Sequence, residues 1–92
     1  MQREYAETIA IRAVAWLAGN DELLPTFLGA TGASTEDLRM RLAEPEFLGS
    51  VLDFLMMNDQ WVIAFCDGSD LPYDRLMQAR QALPGGADVN WT

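Results

Sequence analysis

The chain has no histidine, no lysine and a single cysteine, Cys66. Without histidine, the commonest general base, triad partner and neutral metal ligand are all missing. Without lysine, Schiff-base chemistry is excluded. One thiol cannot close an intrachain disulfide or build a structural zinc site, and a lone cysteine fits a reducing compartment. No glycine loop of the phosphate-binding or dinucleotide type occurs. No apolar run approaches the roughly 20 residues needed to span a bilayer. Glu4 and Glu7 stand where the apolar core of a secretory signal would begin. These absences predict a cytoplasmic, non-enzymatic protein with no membrane segment, no metal and no cofactor.

What is present is apolar residue and negative charge. Half of the 92 residues are apolar, with three Trp, four Phe and five Met. That is enough for one core without a covalent staple. Fourteen acidic residues against six arginines leave a formal net charge of −8. Such a surface repels phosphate backbones and anionic membranes and attracts basic partners.

The apolar residues recur at three- and four-residue steps, the helical period. Tyr5, Ile9, Ala13 and Trp16 predict a first helix over about Arg3 to Ala18. Ala6, Ala10 and Leu17 widen its stripe, and Ile11 and Val14 fall on the other side. A helix apolar over more than half its circumference is either central or in contact with a partner. Gly19-Asn20-Asp21 breaks it, with Asn20 as an N-cap. A short second helix is expected from about Pro25 to Thr31, with room for an extra turn before it, stopped by Gly32. Ser34 with Asp37 resembles a capping box and opens a third. Pro45 starts a fourth, to about Met57, whose stripe is Phe47, Leu48, Val51, Leu52, Phe54 and Leu55. Gly49, Ser50 and Asp53 lie on its reverse. A fifth runs from Gln60 to about Asp67 with Gly68 as its stop. A sixth runs from Pro72 to Leu83, with Leu76, Ala79 and Leu83 on one face. No segment alternates as a strand would. The expected fold is therefore all-α, a compact orthogonal bundle of five to six short helices. It forms a single helical domain over residues 1–84, followed by a flexible tail, 85–92, that carries Trp91.

The run Phe27-Leu28-Gly29-Ala30-Thr31-Gly32, then Leu38-Arg39, then Pro45-Glu46-Phe47-Leu48 with Val51-Leu52-Asp53-Phe54-Leu55, resembles a family of small bacterial proteins. The family is known as domain of unknown function 3572. Ala64-Phe65 and the Pro72-initiated helix ending in Ala79 and Leu83 are similar as well. The resemblance covers nearly the whole chain before Pro84. It implies an all-helical bacterial cytoplasmic protein and brings no activity or catalytic residue with it.

Three constellations compete for a role. Ile11, Val14, Met56, Met57 and Trp61 exceed what one buried face needs. They form the candidate interaction surface of a protein-interaction or adaptor module, with a homodimer or another protein as partner. The stretch Thr31 to Met40 has the outline of a helix-turn-helix. In that alternative, a nucleic-acid-associated regulator would work through Arg39 and Arg41. Neighbouring Glu36, Asp37, Glu44 and Glu46 disfavour it, because affinity for nucleic acid rests on phosphate neutralisation. Asp67, Asp70 and Asp74 cluster around Gly68, but Leu71 falls where an EF-hand needs a ligand and no Glu closes the loop. They read as a helix stop followed by a helix start. Cys66 sits beside Phe65 with no basic neighbour in sequence and reads as a buried, inert thiol.

Overall fold

The computed structural model describes residues 1–84; the expectations for residues 85–92, including Trp91, lie outside the described residues. Six helices follow one another: α1 (Arg3–Ala18), α2 (Leu23–Thr31), α3 (Thr35–Met40), α4 (Pro45–Met56), α5 (Asp59–Ser69) and α6 (Asp74–Ala82). No strand occurs among the described residues. The fold is an all-α bundle around one cluster of buried side chains.

Each junction has a local cause. The Asn20 side-chain oxygen accepts hydrogen bonds from the Glu22 and Leu23 amides at 3.1 and 3.0 Å, and the Leu24 amide reaches the Asn20 carbonyl. The helical turn therefore opens before Pro25 and not at it. Pro25 falls in the first turn, where a missing N–H costs no helical bond. Gly32 ends α2 with φ +75°, a left-handed conformation that glycine adopts without penalty. Ser34 and Asp37 close a reciprocal capping box, Asp37 N–H to Ser34 Oγ at 3.2 Å and Ser34 N–H to Asp37 Oδ2 at 2.9 Å. Pro45 stands in the first turn of α4, and the Asn58 side chain caps α5 by accepting from Gln60 N–H at 2.8 Å.

The fifth helix corrects one expectation. Gly68 is not its stop; α5 continues through Ser69, and Asp70 takes the left-handed position with φ 58°. Aspartate tolerates that region better than most residues. The Leu71 amide then bonds the Cys66 carbonyl at 2.9 Å and closes the end.

α4 and α1 hold the fold together. α1 packs against both α4 and α6, and α4 against α5 and α6 as well. α4 buries Phe47, Leu48, Gly49, Val51, Leu52, Phe54 and Leu55. Gly49, expected on the outer side, is buried because the Arg80 side chain lies across it. A Cβ there would stand 2.8 Å from an Arg80 terminal nitrogen. Arg80 donates to Asp53 Oδ1 at 2.6 Å and to the Pro84 carbonyl at 2.9 Å. One guanidinium thus ties α6 and the residues after it onto the back of α4. Phe27 of α2 meets Phe54 and Phe47 edge-on at 5.1 and 6.4 Å. No helix among the described residues is long and apolar enough to cross a membrane.

Candidate interaction surface

Because α1 is central, its wide apolar arc is consumed by the fold. Val14 is 5% exposed and belongs to the core, which removes it from the candidate surface. Ile11 stays out, 41% exposed. Met57, at the α4–α5 junction, is 74% exposed. Met56 and Trp61 are half-buried and packed against the core. Of the five residues singled out, Met57 and Ile11 are open, Met56 and Trp61 are half-open, and Val14 is closed. Trp16, on the apolar stripe that predicts α1, is half-buried.

α5 is the helix that builds a surface around them. It buries only Phe65 and Cys66 completely. Trp61 stacks on Phe54 with ring centroids 4.7 Å apart and an interplanar angle of 22°. That contact covers one face of the indole, and the side chain as a whole is half-buried. Ala64 and Gly68, both exposed, follow at i+3 and i+7 and share a 60° arc with Trp61. The stripe ends roughly 10 Å further along at Trp16 of α1. A Cβ on Gly68 would lie 3.9 Å from the Trp16 indole nitrogen, and Trp16 meets Phe65 edge-on at 5.8 Å. Arg12, one turn before Trp16, donates to the Ser69 carbonyl at 2.7 Å and fastens the end of α5 to α1. Two half-open tryptophans therefore flank two small residues, with Met57 beyond Trp61. Ala64, Gly68 and Trp16 were missing from the residues singled out by composition. For Ala64 and Gly68 the signal was the i, i+3, i+7 spacing from Trp61, masked by Gly68's reading as a stop; Trp16 joins them only through the packing of α1 on α5.

The other constellations are less open. Arg41 donates to Glu44 Oε1 at 3.0 Å, and its guanidinium carbon sits 4.8 Å from the centroid of the Phe47 ring. It is committed within the chain, leaving Arg39 exposed. α3 has only six residues, about 9 Å of helix, which is short for insertion into a major groove. A cleft of about 390 Å³ lies between α1, α2 and α3, lined by Leu24, Thr35, Leu38 and Arg39 among others. No three Cys, Asp or Glu residues among those described converge as a metal site. Asp67 instead accepts the Tyr73 hydroxyl at 2.9 Å. That hydrogen bond, more than any other influence, pushes the Tyr73 phenol above its ordinary pKa. Burial, helped by Asp67 and Asp74, pushes the Cys66 thiol up as well, which keeps it protonated and unreactive at neutral pH.

A six-helix, all-α bundle with an outward stripe of aromatic and small residues is the class of protein that this geometry defines. The chain belongs to the family described as protein of unknown function (DUF3572), whose model matches residues 3–86. No curated protein and no solved structure matches it.

Proposed function

We propose that the chain is a non-enzymatic protein-interaction module and that its contact surface is the outer stripe of α5 with the adjoining flank of α1. The observation that carries this reading is the Trp61–Phe54 stack on the helix that follows exposed Met57. A large aromatic is held from below while part of it stays accessible. Rigid, half-open tryptophans are the side chains that contribute most at protein interfaces, and methionine adapts to varied partner shapes. Folding gains nothing from leaving them open, since burial contributes about 25 cal/mol per Å² of apolar area. The absence of histidine and lysine supports a binding role over a chemical one.

The test is capture from a lysate of the native cells with four baits: the wild type, Met57→Glu, Trp61→Glu and Met40→Glu. Met40 is as exposed as Met57, 74%, but belongs to α3. Proteins enriched by the wild type are expected to be retained by Met40→Glu and lost with Met57→Glu and Trp61→Glu. Capture indifferent to both substitutions on the α5 side would refute the reading.

A further inference from the structure

We infer that the cleft between the start of α1 and α6 is a binding site for a small carboxylate with an apolar or aromatic body. The site is independent of the α5 surface and lies at the other end of α1 from Trp16. Its first support is the placement of the arginines. The chain has six of them against fourteen carboxylates, so a guanidinium without a partner is the exception. Arg3 pairs with Glu7, Arg41 with Glu44 and Arg80 with Asp53, and Arg12 donates to the Ser69 carbonyl. The side chains of Arg39 and Arg75 have neither an ion pair nor a hydrogen bond among the described residues. Arg39 is exposed and lines its cleft beside Glu36. Arg75 is half-buried, and no side chain lining its cleft is acidic. Partial burial of a cation costs hydration that a hydrogen-bonded anion offsets.

The second support is geometry. Two i, i+3 pairs build the cleft, Gln2 and Tyr5 at the start of α1 and Arg75 and Gln78 on α6. Residues three apart share a helix face, and α1 and α6 are packed together, so the two pairs meet across their seam. The space is about 370 Å³, within the range of small-molecule sites. A guanidinium, two carboxamides and a phenol converge there, and every one of these groups can donate a hydrogen bond. Gln2 caps α1 only by its backbone, which leaves its carboxamide for a ligand. Apolar surface lies beside the donors, with Met1 45% and Tyr5 42% exposed.

These features select the ligand. A guanidinium grips a carboxylate through two parallel hydrogen bonds, and the carboxamide and phenol donors reach its remaining lone pairs. The Tyr5 ring and the Met1 thioether carry the apolar body. One guanidinium matches one negative charge. No second base lines the cleft, and a net charge of −8 opposes a dianion, so a carboxylate fits better than a phosphate monoester.

The experiment titrates the isotopically labelled full chain with phenylacetate, phenylacetamide and phenyl phosphate, and follows backbone amide shifts by NMR. The first two probes share one body and differ in charge; the third carries a second negative charge. Two variants accompany the wild type. Gln78→Glu puts a carboxylate three residues after Arg75, where it pairs with the guanidinium and occupies it. Position 78 is exposed and glutamate is as good a helix former as glutamine, so the fold is kept. Arg39→Gln removes the other unpaired guanidinium. Phenylacetate is expected to saturate with a Kd of about 1 mM or tighter and to shift the amides around Tyr5, Arg75 and Gln78. Phenylacetamide and phenyl phosphate should bind at least about tenfold more weakly, as should phenylacetate to Gln78→Glu. Arg39→Gln should bind phenylacetate like the wild type. Equal binding of phenylacetamide overturns the inference, because apolar surface alone would then explain it. Loss in Arg39→Gln with retention in Gln78→Glu overturns it in favour of the cleft beside α3. Phenyl phosphate as the tightest probe overturns the carboxylate class, and the absence of saturable binding by any probe overturns the site.

Discussion

α4 and α5 are consecutive helices of similar length, twelve and eleven residues, and they do opposite work. α4 is the more enclosed: α1, α5 and α6 pack on it, Phe27 covers Phe54 and Phe47, and the Arg80 side chain lies over Gly49, leaving Glu46 and Asp53 exposed on its back. α5 is anchored by Phe65 and Cys66, has Trp61 and Val62 half-buried against the core, and leaves Ala64 and Gly68 exposed. Both helices are apolar, so hydrophobicity alone does not separate them. The difference lies in what surrounds each residue: apolar residues on α4 hold the fold, and those on the outside of α5 have no structural employment. A buried helix explains its own sequence, whereas the open side of α5 is what the proposed interaction would explain.

The sharpest expected contrast is in stability. Leu52 on α4 is fully buried. Leu52→Ala should cost about 3 kcal/mol, the transfer free energy of the lost groups plus the cavity left behind. In a domain of this size that lowers the melting temperature by more than about 10 °C. Val62→Ala, on the half-buried inner edge of α5, should cost about 1 kcal/mol or less. Urea titration of the two variants measures both. A loss at Val62 equal to that at Leu52 would erase the distinction between the helices.

The glycines sharpen the same comparison with a change of sign. Alanine is favoured over glycine inside a helix by about 1 kcal/mol. Gly68→Ala on α5 meets only the Trp16 indole nitrogen at 3.9 Å, an ordinary contact, and should stabilise by roughly 0.5–1 kcal/mol. Gly49→Ala on α4 puts its Cβ 2.8 Å from Arg80 and must displace the guanidinium. Weakening the charged hydrogen bonds to Asp53 and Pro84 outweighs the helical gain. The net result should be a loss of about 1 kcal/mol. Opposite shifts of the two urea midpoints confirm that α4 is closed on its back and α5 is not.

The inner side of α5 has a pH signature. The Cys66 thiol is raised by burial first, then by Asp67 and Asp74. A raised folded value favours the protonated form, so its contribution is fully present at neutral pH. It is lost as pH rises from the unfolded thiol's range, near about 8.5, through the folded value. Tyr73 shifts in the same direction, through its bond to Asp67. Thermal midpoints should therefore begin to fall above about pH 8.5 through Cys66, and the further fall above about pH 10 should be smaller in Tyr73→Phe. A thiol reagent should label Cys66 only as fast as the chain opens. Rapid labelling of the native protein at pH 8 would show that α5 is not seated on the core.

The periodic apolar positions made the helices and most of the core legible in the sequence. The Ser34–Asp37 box, the Pro45 start and the Phe47–Leu55 stripe are local, and local patterns survive into the structure. What stayed hidden was set by contacts distant in sequence. Val14 is buried because α1 is met by all five other helices, which its own periodicity cannot report. Gly49 is buried because Arg80, 31 residues later, crosses it. Gly68 imitated a stop signal because nothing nearby revealed that Trp16 would arrive beside it. The candidate surface was half legible for the same reason. Met57 and Trp61 stood out as surplus apolar residues, whereas Ala64 and Trp16 became part of it only once α1 and α5 met.

The smallest stability change carries the most information about role. Ala64→Gln replaces one good helix former with another at an exposed position, so stability should move by no more than about 0.5 kcal/mol. The same substitution adds a polar side chain between Trp61 and the end of the stripe. Any partner seated there loses its apolar contact. Separating the two effects is what distinguishes an interface from a weakly packed core. A variant as stable as the wild type that no longer retains its partner identifies the α5 stripe as a surface kept for binding. A cost above about 1 kcal/mol would instead mean that Ala64 packs within the bundle. The contrast between α4 and α5 would then be one of degree, and the open tryptophans would need no partner to account for them.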